Sequence, residues 1–250
     1  MRFKRPGEVL VTPRDREILK HLFENKIATQ KQIAQKFFPG KSKQAVSQRI
    51  LKLKKESLID LKGVIVDGLV KKCLVIKSRS VSLIEDTVPY TIDRDPIKSD
   101  SPEHDLILSD LIEGLKNYKT VSDVMTEASL RTYKEIREDI NLGVYGELRS
   151  DGVVAMDIDG NTAYAALEYE RNIKSNARYF KKLRSYYDQE TIGGVLFICE
   201  NERMRKLVYT IDSKIRSNQS SKFFLALKND VQSLPTRITF KNFKGQIFEL

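Results

Sequence analysis

Two short apolar segments joined by Asp159-Gly160 constrain the fold of this chain more than any other feature. Residues 153–158 and 162–169 are rich in residue types that favour β-strands. An Asp-Gly pair between such segments is among the strongest signals for a two-residue hairpin turn. The sequence therefore predicts a β-hairpin, and the length of its turn determines which residues of the two strands face each other.

The predicted register brings acidic residues together at the open end of the hairpin. Asp151 would face Glu168, and Glu170 would share their face because side chains alternate with period two. If the turn were displaced by one residue pair, Asp151 would instead face Glu170. Like charges this close destabilise a sheet, so we expect Mg²⁺ or Mn²⁺ with Asp151, Glu168 and Glu170 as ligands. Arg171 or Lys174 would complete a catalytic site by contacting phosphate or orienting water.

These residues also have a purely structural interpretation. Glu170 and Arg171 would be solvent-facing charges at a strand end, and Asp151 would hold a turn through its side chain. A three-residue loop would move Asp151 to the other face of the hairpin. The sequence leaves these alternatives open.

Positive charge is concentrated near the N-terminus. The chain has 250 residues with 44 Lys and Arg against 34 Asp and Glu, and residues 1–80 hold 20 of the former and 7 of the latter. This asymmetry favours a polyanion-binding domain joined to a domain with another task.

Residues 1–80 have the pattern of a winged helix-turn-helix, a DNA-binding domain. Thr12-Pro13 predicts the start of a helix that ends near residue 25, and caps at Thr29 and Ser42 predict two more helices. Residues 58–77 then form two β-rich runs around Asp67-Gly68, as the wing of such a domain would.

The third helix of this domain would enter the major groove of double-stranded DNA with its N-terminus first. Gln44 and Gln48 would read base edges, and the lysines would contact phosphate. The same face would otherwise be merely solvated, or would bind a protein. The predicted DNA-binding residues are Lys41, Lys43, Gln44, Ser47, Gln48, Arg49 and Lys52.

Residues 81–102 are rich in Ser, Asp and Pro and are predicted to be a linker. Residues 103–250 then give the order helix, strand, hairpin, helix, strand, helix, strand, which predicts a mixed α/β domain. Within the helix predicted at 175–188, the spacing of Ala177, Phe180, Leu183 and Tyr187 predicts that these side chains face inward.

Membrane and disulfide-bonded classes are not favoured. No apolar run approaches the roughly 18 residues of a membrane span, and the basic N-terminus lacks the apolar stretch of a secretory signal. We therefore expect a cytoplasmic protein that does not bind membranes. Cys73 and Cys199 lie in apolar segments and are expected to be buried thiols.

The acidic residues of the hairpin resemble the PD-(D/E)XK nuclease superfamily. Its core has the same α-β-β-β-α-β order, with an Asp before the second strand and acid-x-Lys on the third. Here Ser150-Asp151 and Glu168-Tyr169-Glu170 stand at these places, so Glu170 replaces the lysine. The resemblance implies a restriction-endonuclease-like domain. In some members the lysine has moved to the following helix, which would nominate Lys174, Lys181 or Lys182.

The chain is also similar to the replication-relaxation family of plasmid and mobile-element proteins. The shared features are an N-terminal winged helix, a helix that opens with His104-Asp105, the stretch from Arg149 to Gly152, and a Lys-Leu-x-x-Tyr segment at residues 182–186. The resemblance implies a role in plasmid replication or DNA relaxation.

Three hypotheses follow. The first is that the chain is a DNA-binding enzyme that nicks or cleaves DNA with Mg²⁺. The second is that it is a non-catalytic regulator of replication or transfer, whose nuclease-like domain is a scaffold or dimerisation unit. The third is a repressor with a ligand-sensing domain. A palindromic DNA target would favour a homodimer.

Overall fold

The computed structural model describes residues 10–66, 68–216, 220–233 and 236–250 of the chain. It divides into two compact units: Met1–Ile107 with Arg131–Ile136, and Leu108–Leu130 with Arg137–Leu250. The predicted linker, residues 81–102, belongs to the first unit. One reason is that the backbone N–H of Thr91 donates a 2.8 Å hydrogen bond to Glu135 within that unit.

The first unit combines helices with a small sheet. Each of its first three helices begins at its predicted cap, because the hydroxyls of Thr12, Thr29 and Ser42 accept backbone N–H groups of the first turn. The strand order is β1-β3-β2. The elements are α1 (Pro13–Asn25), β1 (Ala28–Thr29), α2 (Gln30–Phe37), α3 (Lys43–Lys55), β2 (Ile59–Val66) and β3 (Leu69–Ile76), followed by two 3-10 helices (Ser78–Leu83 and Glu85–Thr87).

The predicted hairpin of residues 58–77 is formed by β2 and β3. Val66 faces Leu69 at its closed end, and Gly68 has a φ of 75°. Asp67, the other predicted turn residue, lies outside the described residues. A buried set of Ile18, Leu22, Leu53, Ile59 and Leu74 joins α1 and α3 to this sheet.

The second unit is built on a larger mixed sheet, so the prediction of a mixed α/β chain is confirmed. Its elements follow the predicted order, with additional short helices between the first strand and the hairpin. They are α4 (Pro102–Leu115), β4 (Val121–Thr126), α5 (Glu127–Thr132), α6 (Lys134–Glu138), α7 (Gly143–Glu147), β5 (Gly152–Ile158), β6 (Asn161–Glu170), α8 (Asn176–Tyr187), β7 (Val195–Cys199), α9 (Glu202–Ile215), β8 (Phe223–Leu227), α10 (Lys228–Gln232), β9 (Thr239–Lys241) and β10 (Ile247–Glu249). Parts of α4 to α6 belong to the first unit.

The register predicted from Asp159-Gly160 is confirmed. Ile158 pairs with Asn161 and Gly152 pairs with Leu167. Asp159 and Gly160 both have positive φ, 52° and 78°, as a type I′ turn requires. Asp151, one residue before β5, therefore continues the ladder towards Glu168.

Because of the strand directions, several charged residues lie at the same edge of the sheet. The order is β10-β9-β8-β7-β6-β5-β4, in which β6, β7 and β8 run parallel and β5 runs opposite to both of its neighbours. The carboxyl ends of β4, β6, β7 and β8 thus share an edge with the start of β5. The residues at this carboxyl edge include Glu127, Asp151, Glu170, Glu200 and Lys228.

Candidate functional site

Asp151 and Glu168 form the acidic pair that the hairpin predicts. Asp151 is held at the edge because its backbone carbonyl accepts from the N–H of Glu127 at 3.0 Å. Its Oδ2 accepts from the N–H of Tyr169 at 2.8 Å. Glu168 lies beside it on β6, near enough for the charge of Asp151 to raise its pKa.

Lys182 supplies the cation of the site. Ser175 caps α8, and two turns later the Lys182 ammonium lies 2.9 Å from Glu168 Oε1. It also donates to the backbone carbonyls of Arg149 at 3.1 Å and Leu148 at 3.3 Å. Of the three lysines that the nuclease resemblance nominates, Lys182 is the one that contacts Glu168, whereas Lys174 contacts Glu170.

Tyr186 closes the site from the next turn of α8. Its hydroxyl donates to the same oxygen of Glu168 that Lys182 contacts, and it lies 2.7 Å from Ser150 Oγ. Ser150, Asp151, Glu168, Lys182 and Tyr186 are called the acid–lysine cluster below. Sequence reasoning assigned no role to Ser150 or Tyr186. The sequence feature that could have linked Tyr186 to the site is its four-residue spacing from Lys182, which puts both side chains on one helix face.

Burial dominates the electrostatics of the cluster. It raises the pKa of Glu168 to about 7, with Lys182 opposing the shift and Asp151 adding to it. Burial lowers the pKa of Lys182, but Glu168, with Asp151 and Glu127, outweighs burial and the net pKa is raised. Lys182 therefore carries its charge at neutral pH. Burial and the neighbouring Glu168 raise the pKa of Tyr186 well above its ordinary value, so its hydroxyl keeps its proton and donates.

The raised pKa of Glu168 predicts that the second unit loses stability as pH rises. Between the ordinary value of 4.5 and about 7, folded Glu168 binds a proton that the unfolded chain has released. Its stabilising contribution is complete below the unfolded pKa and is lost as pH rises through the folded one. From pH 5 to 8 the loss amounts to roughly 2 to 3 kcal/mol at about 1.4 kcal/mol per pKa unit, since the pKa of about 7 already includes the pairing with Lys182.

Urea unfolding of wild type and Glu168→Gln at pH 5, 6, 7 and 8 measures this contribution. We expect a flatter pH dependence for Glu168→Gln, since the amide does not titrate. Glu147→Gln, at an exposed position, should keep the wild-type slope. Parallel curves for wild type and Glu168→Gln would show that Glu168 does not take up the proton.

The predicted trio of metal ligands is corrected by the position of Glu170. Its Oε2 lies 2.7 Å from the ammonium of Lys174, in an ion pair between residues four apart. Glu168 and Glu170 share a face as predicted, but successive residues on one face of a strand are about 6.6 Å apart. Within the described ranges, no three or more His, Cys, Asp or Glu side chains are placed to hold a metal ion together. Arg171 is partly exposed at the end of β6.

With Glu170 paired to Lys174, the carboxylates of Asp151 and Glu168 are the two that could bind a hard cation. Asp151 and Glu168 supply oxygen ligands, and the carbonyls of Leu148 and Arg149 already direct their oxygens at the positive charge of Lys182. Mg²⁺ commonly uses one or two carboxylates and completes its shell with water and substrate phosphate. The donor chemistry therefore fits Mg²⁺ held by Asp151 and Glu168, without Glu170.

In the first unit, α3 presents most of the predicted DNA-binding residues to solvent. Ser47 is half-buried, and its hydroxyl accepts a 2.6 Å hydrogen bond from the Gln30 side chain of α2. It therefore fixes one helix against the other. The exposed members are Lys41, Lys43, Gln44, Gln48 and Lys52.

Arg49, one of the predicted DNA-binding residues, is also part of an ion pair within the first unit. Its guanidinium forms a bidentate ion pair with the buried carboxylate of Asp15, with Nε 2.8 Å from Oδ1. Nη2 also donates to the backbone carbonyl of Leu10 at 2.8 Å. Burial raises the pKa of Asp15, but Arg49 and Thr12 outweigh burial and hold it below its ordinary value. Arg49 thus joins α3 to the start of α1.

His104 and Asp105, which carry part of the replication-relaxation resemblance, have a structural role in the first unit. Asp105 is buried in the first turn of α4, and its Oδ1 lies 3.3 Å from both Lys26 Nζ and His104 Nδ1. Burial raises the pKa of Asp105, but His104 and Lys26 hold it below its ordinary value. The pair therefore anchors the start of α4 to the end of α1.

The fold and the site together define a mixed α/β protein of two units with a buried acid–lysine cluster at the carboxyl edge of its larger sheet. No protein-family model matches the chain, and no curated protein or solved structure matches it significantly. Among the helices of the described residues, none has both the length and the apolar character to cross a membrane.

Proposed function

We propose that this chain is a DNA-binding protein of a plasmid or mobile element, acting in replication or DNA relaxation, whose second unit nicks or cleaves DNA with Mg²⁺. The observation that carries the proposal is the Lys182 ammonium, 2.9 Å from Glu168 Oε1 beside Asp151. An Asp, a second acid and a lysine close to one another are what the PD-(D/E)XK resemblance requires, with the lysine supplied by the following helix. The resemblance of residues 104–105, 149–152 and 182–186 to the replication-relaxation family supports the biological setting.

Each residue of the acid–lysine cluster would have a different role in phosphodiester hydrolysis. Bound Mg²⁺ would supply Lewis acidity and an activated water. Asp151 and Glu168 would hold the cation, and Lys182 would bind a phosphate oxygen or orient the water. Tyr186 would be a positioning residue because its hydroxyl donates a hydrogen bond to Glu168, and Ser150 would support it through a hydrogen bond to the Tyr186 hydroxyl.

The proposed cleavage is tested with purified protein, supercoiled plasmid and Mg²⁺ or Mn²⁺. We expect conversion to open-circular or linear DNA that EDTA stops, together with Mn²⁺ binding by calorimetry. Asp151→Asn should lose both. A protein that leaves the plasmid intact and binds no Mn²⁺ would refute the catalytic proposal.

DNA binding is proposed for the first unit, read as a winged helix with α3 as its recognition helix. Support comes from the exposed row of Lys41, Lys43, Gln44, Gln48 and Lys52, and from the excess of basic residues in this part of the chain. Double-stranded DNA is the partner that fits a basic helix face flanked by a hairpin. A palindromic site would be bound by two copies of the chain.

Replacing Lys43 and Gln44 by alanine separates the two kinds of contact. Lys43→Ala should weaken binding to all duplexes and reduce the slope of log K against log salt by about 1. Gln44→Ala should cost roughly 1–3 kcal/mol on the preferred sequence and relax its specificity. Lys98→Ala, exposed in the same unit, is the control. Equal affinities for all four proteins in anisotropy titrations would show that α3 does not bind DNA.

A non-catalytic scaffold is the second candidate, and the enclosure of Glu168 favours it. The residue is only 6% exposed, and Tyr186 and Lys182 both contact its Oε1. A closed network of this kind would rigidify a regulatory or dimerisation unit without turnover. Intact plasmid, normal duplex binding and loss of dimers in Glu168→Ala would support this function.

A further inference from the structure

An open groove between α8 and α9 has an unusual lining for a protein surface. The phenyl ring of Phe180 stands 45% exposed at its wall, and buried Ile211 forms part of its floor. Lys181 and Lys214 are exposed on its rim. The groove has a volume of about 430 Å³ and is lined by Asn176, Ala177, Phe180, Lys181, Ile211 and Lys214.

The exposure of Phe180 departs from the apolar pattern of α8. Its spacing with Leu183 and Tyr187 predicts an inward position, but Tyr179, Leu183, Tyr186 and Tyr187 are the residues of α8 that are buried. The helix is rotated so that Tyr186 and Lys182 reach Glu168, which leaves Phe180 on the solvent side. Exposing a large aromatic ring forfeits burial that would stabilise the fold. An exposed ring in a groove that two lysines also line is suited to binding a ligand.

The charged residues that line the groove indicate which class of ligand it would bind. Its lining, within the described residues, contains two ammonium groups and no carboxylate. An apolar ring flanked by cations is complementary to a ligand that alternates flat apolar faces with negative charges. Single-stranded nucleic acids have this alternation, and base stacking on aromatic side chains beside a basic groove is how proteins bind them without sequence preference.

Duplex DNA does not offer the same complementarity. Its bases are stacked inside the helix, so their faces are hidden from a side chain at the protein surface. An amphipathic protein helix would need a continuous apolar groove, whereas the lysines interrupt this one. An unpaired strand therefore fits better than a duplex or a peptide.

We propose that the groove between α8 and α9 binds single-stranded DNA, with one unpaired base stacked on Phe180 and the adjacent phosphates contacting Lys181 and Lys214. This function is independent of whether the acid–lysine cluster cuts DNA. The same helix carries both features: Lys182 points to Glu168, and its neighbours Phe180 and Lys181 face the groove. A strand freed by unwinding or nicking would be the natural ligand.

The test is fluorescence anisotropy of a labelled oligothymidylate with the full-length protein in EDTA, which prevents cleavage. We expect Phe180→Ala to weaken binding about 10-fold, since the loss of one stacking contact commonly costs roughly 5- to 150-fold. Phe180→Tyr keeps the ring and should retain affinity. Lys181→Gln with Lys214→Gln should weaken binding and reduce its salt dependence.

Two controls separate this site from general effects. Ile158→Ala removes an apolar side chain of nearly equal exposure, 44%, at the tip of the β5–β6 hairpin, and should leave affinity unchanged. Phe180→Ala should leave the affinity for a labelled duplex unchanged, because α3 is proposed to bind it. Circular dichroism should show an unaltered fold, as expected for a surface position.

Three results would overturn the proposal. One is wild-type protein that does not bind the oligothymidylate, and another is Phe180→Ala that binds it as wild type does. The third is a variant that loses duplex and single-strand binding equally. If light scattering showed that Phe180→Ala only converts dimers to monomers with single-strand affinity intact, the groove would be a contact between two copies of this chain.

Discussion

Replacing Lys182 by methionine is expected to reduce plasmid cleavage by roughly 10²–10³-fold, the usual cost of removing one group that stabilises charge in a transition state. The ammonium lies 2.9 Å from Glu168 Oε1 and is held by the carbonyls of Leu148 and Arg149. Methionine keeps an unbranched side chain of similar bulk and removes the ammonium together with its contacts to Glu168 and the two carbonyls. Lys182→Arg should recover part of the activity, because it restores the charge with a different geometry.

The matched control is Lys174→Met. Lys174 pairs with Glu170 at 2.7 Å on the segment after β6, so its loss should leave cleavage within a few-fold of wild type. Nicking is measured under saturating Mg²⁺, and urea unfolding monitors stability, because Lys182→Met leaves Glu168 without its buried partner. If Lys174→Met lost cleavage and Lys182→Met kept it, the lysine of the site would be Lys174.

Replacing Arg49 by alanine is expected to destabilise the first unit by about 3 kcal/mol, near the lower end for breaking a buried ion pair because the guanidinium is partly exposed. The Asp15 side chain is only 1% exposed and would lose its bidentate partner. Since the pKa of Asp15 is lowered, its contribution is present above the ordinary value of 3.8 and is lost as pH falls through the folded pKa. When the pH is lowered, the free energy of unfolding of Arg49→Ala should therefore decrease less than that of wild type.

Urea unfolding at pH 7 and pH 3 measures both effects. Lys52→Ala, three residues further along α3 and exposed, should leave stability within about 0.5 kcal/mol of wild type, as for most surface substitutions. Asp15→Ala with Arg49→Ala should regain part of the lost stability, because no buried charge is then unpaired. Wild-type stability with reduced duplex affinity in Arg49→Ala would place Arg49 on the DNA-binding face.

Local signals account for the parts of the fold that were predicted correctly. Thr12, Thr29 and Ser42 cap helices through hydrogen bonds to residues three positions away, so their effect can be read from a short stretch of sequence. The Asp159-Gly160 turn determines the register of β5 and β6 in the same way, and with it the meeting of Asp151 and Glu168. The predicted inward face of α8 was wrong at Ala177 and Phe180, which are exposed, because the spacing of apolar residues was compatible with more than one rotation.

The sequence by itself determined the helix starts, the hairpin register and the acidic pair, because each depends on residues close in the chain or on strict alternation along a strand. Only the tertiary structure decided which distant cations neutralise the buried acids: Lys182 for Glu168 and Arg49 for Asp15. The physical reason is that a long side chain reaches many partners, and the rotation of its helix against the sheet or neighbouring helix selects one. That rotation is set by the burial of residues such as Tyr186 against distant parts of the chain.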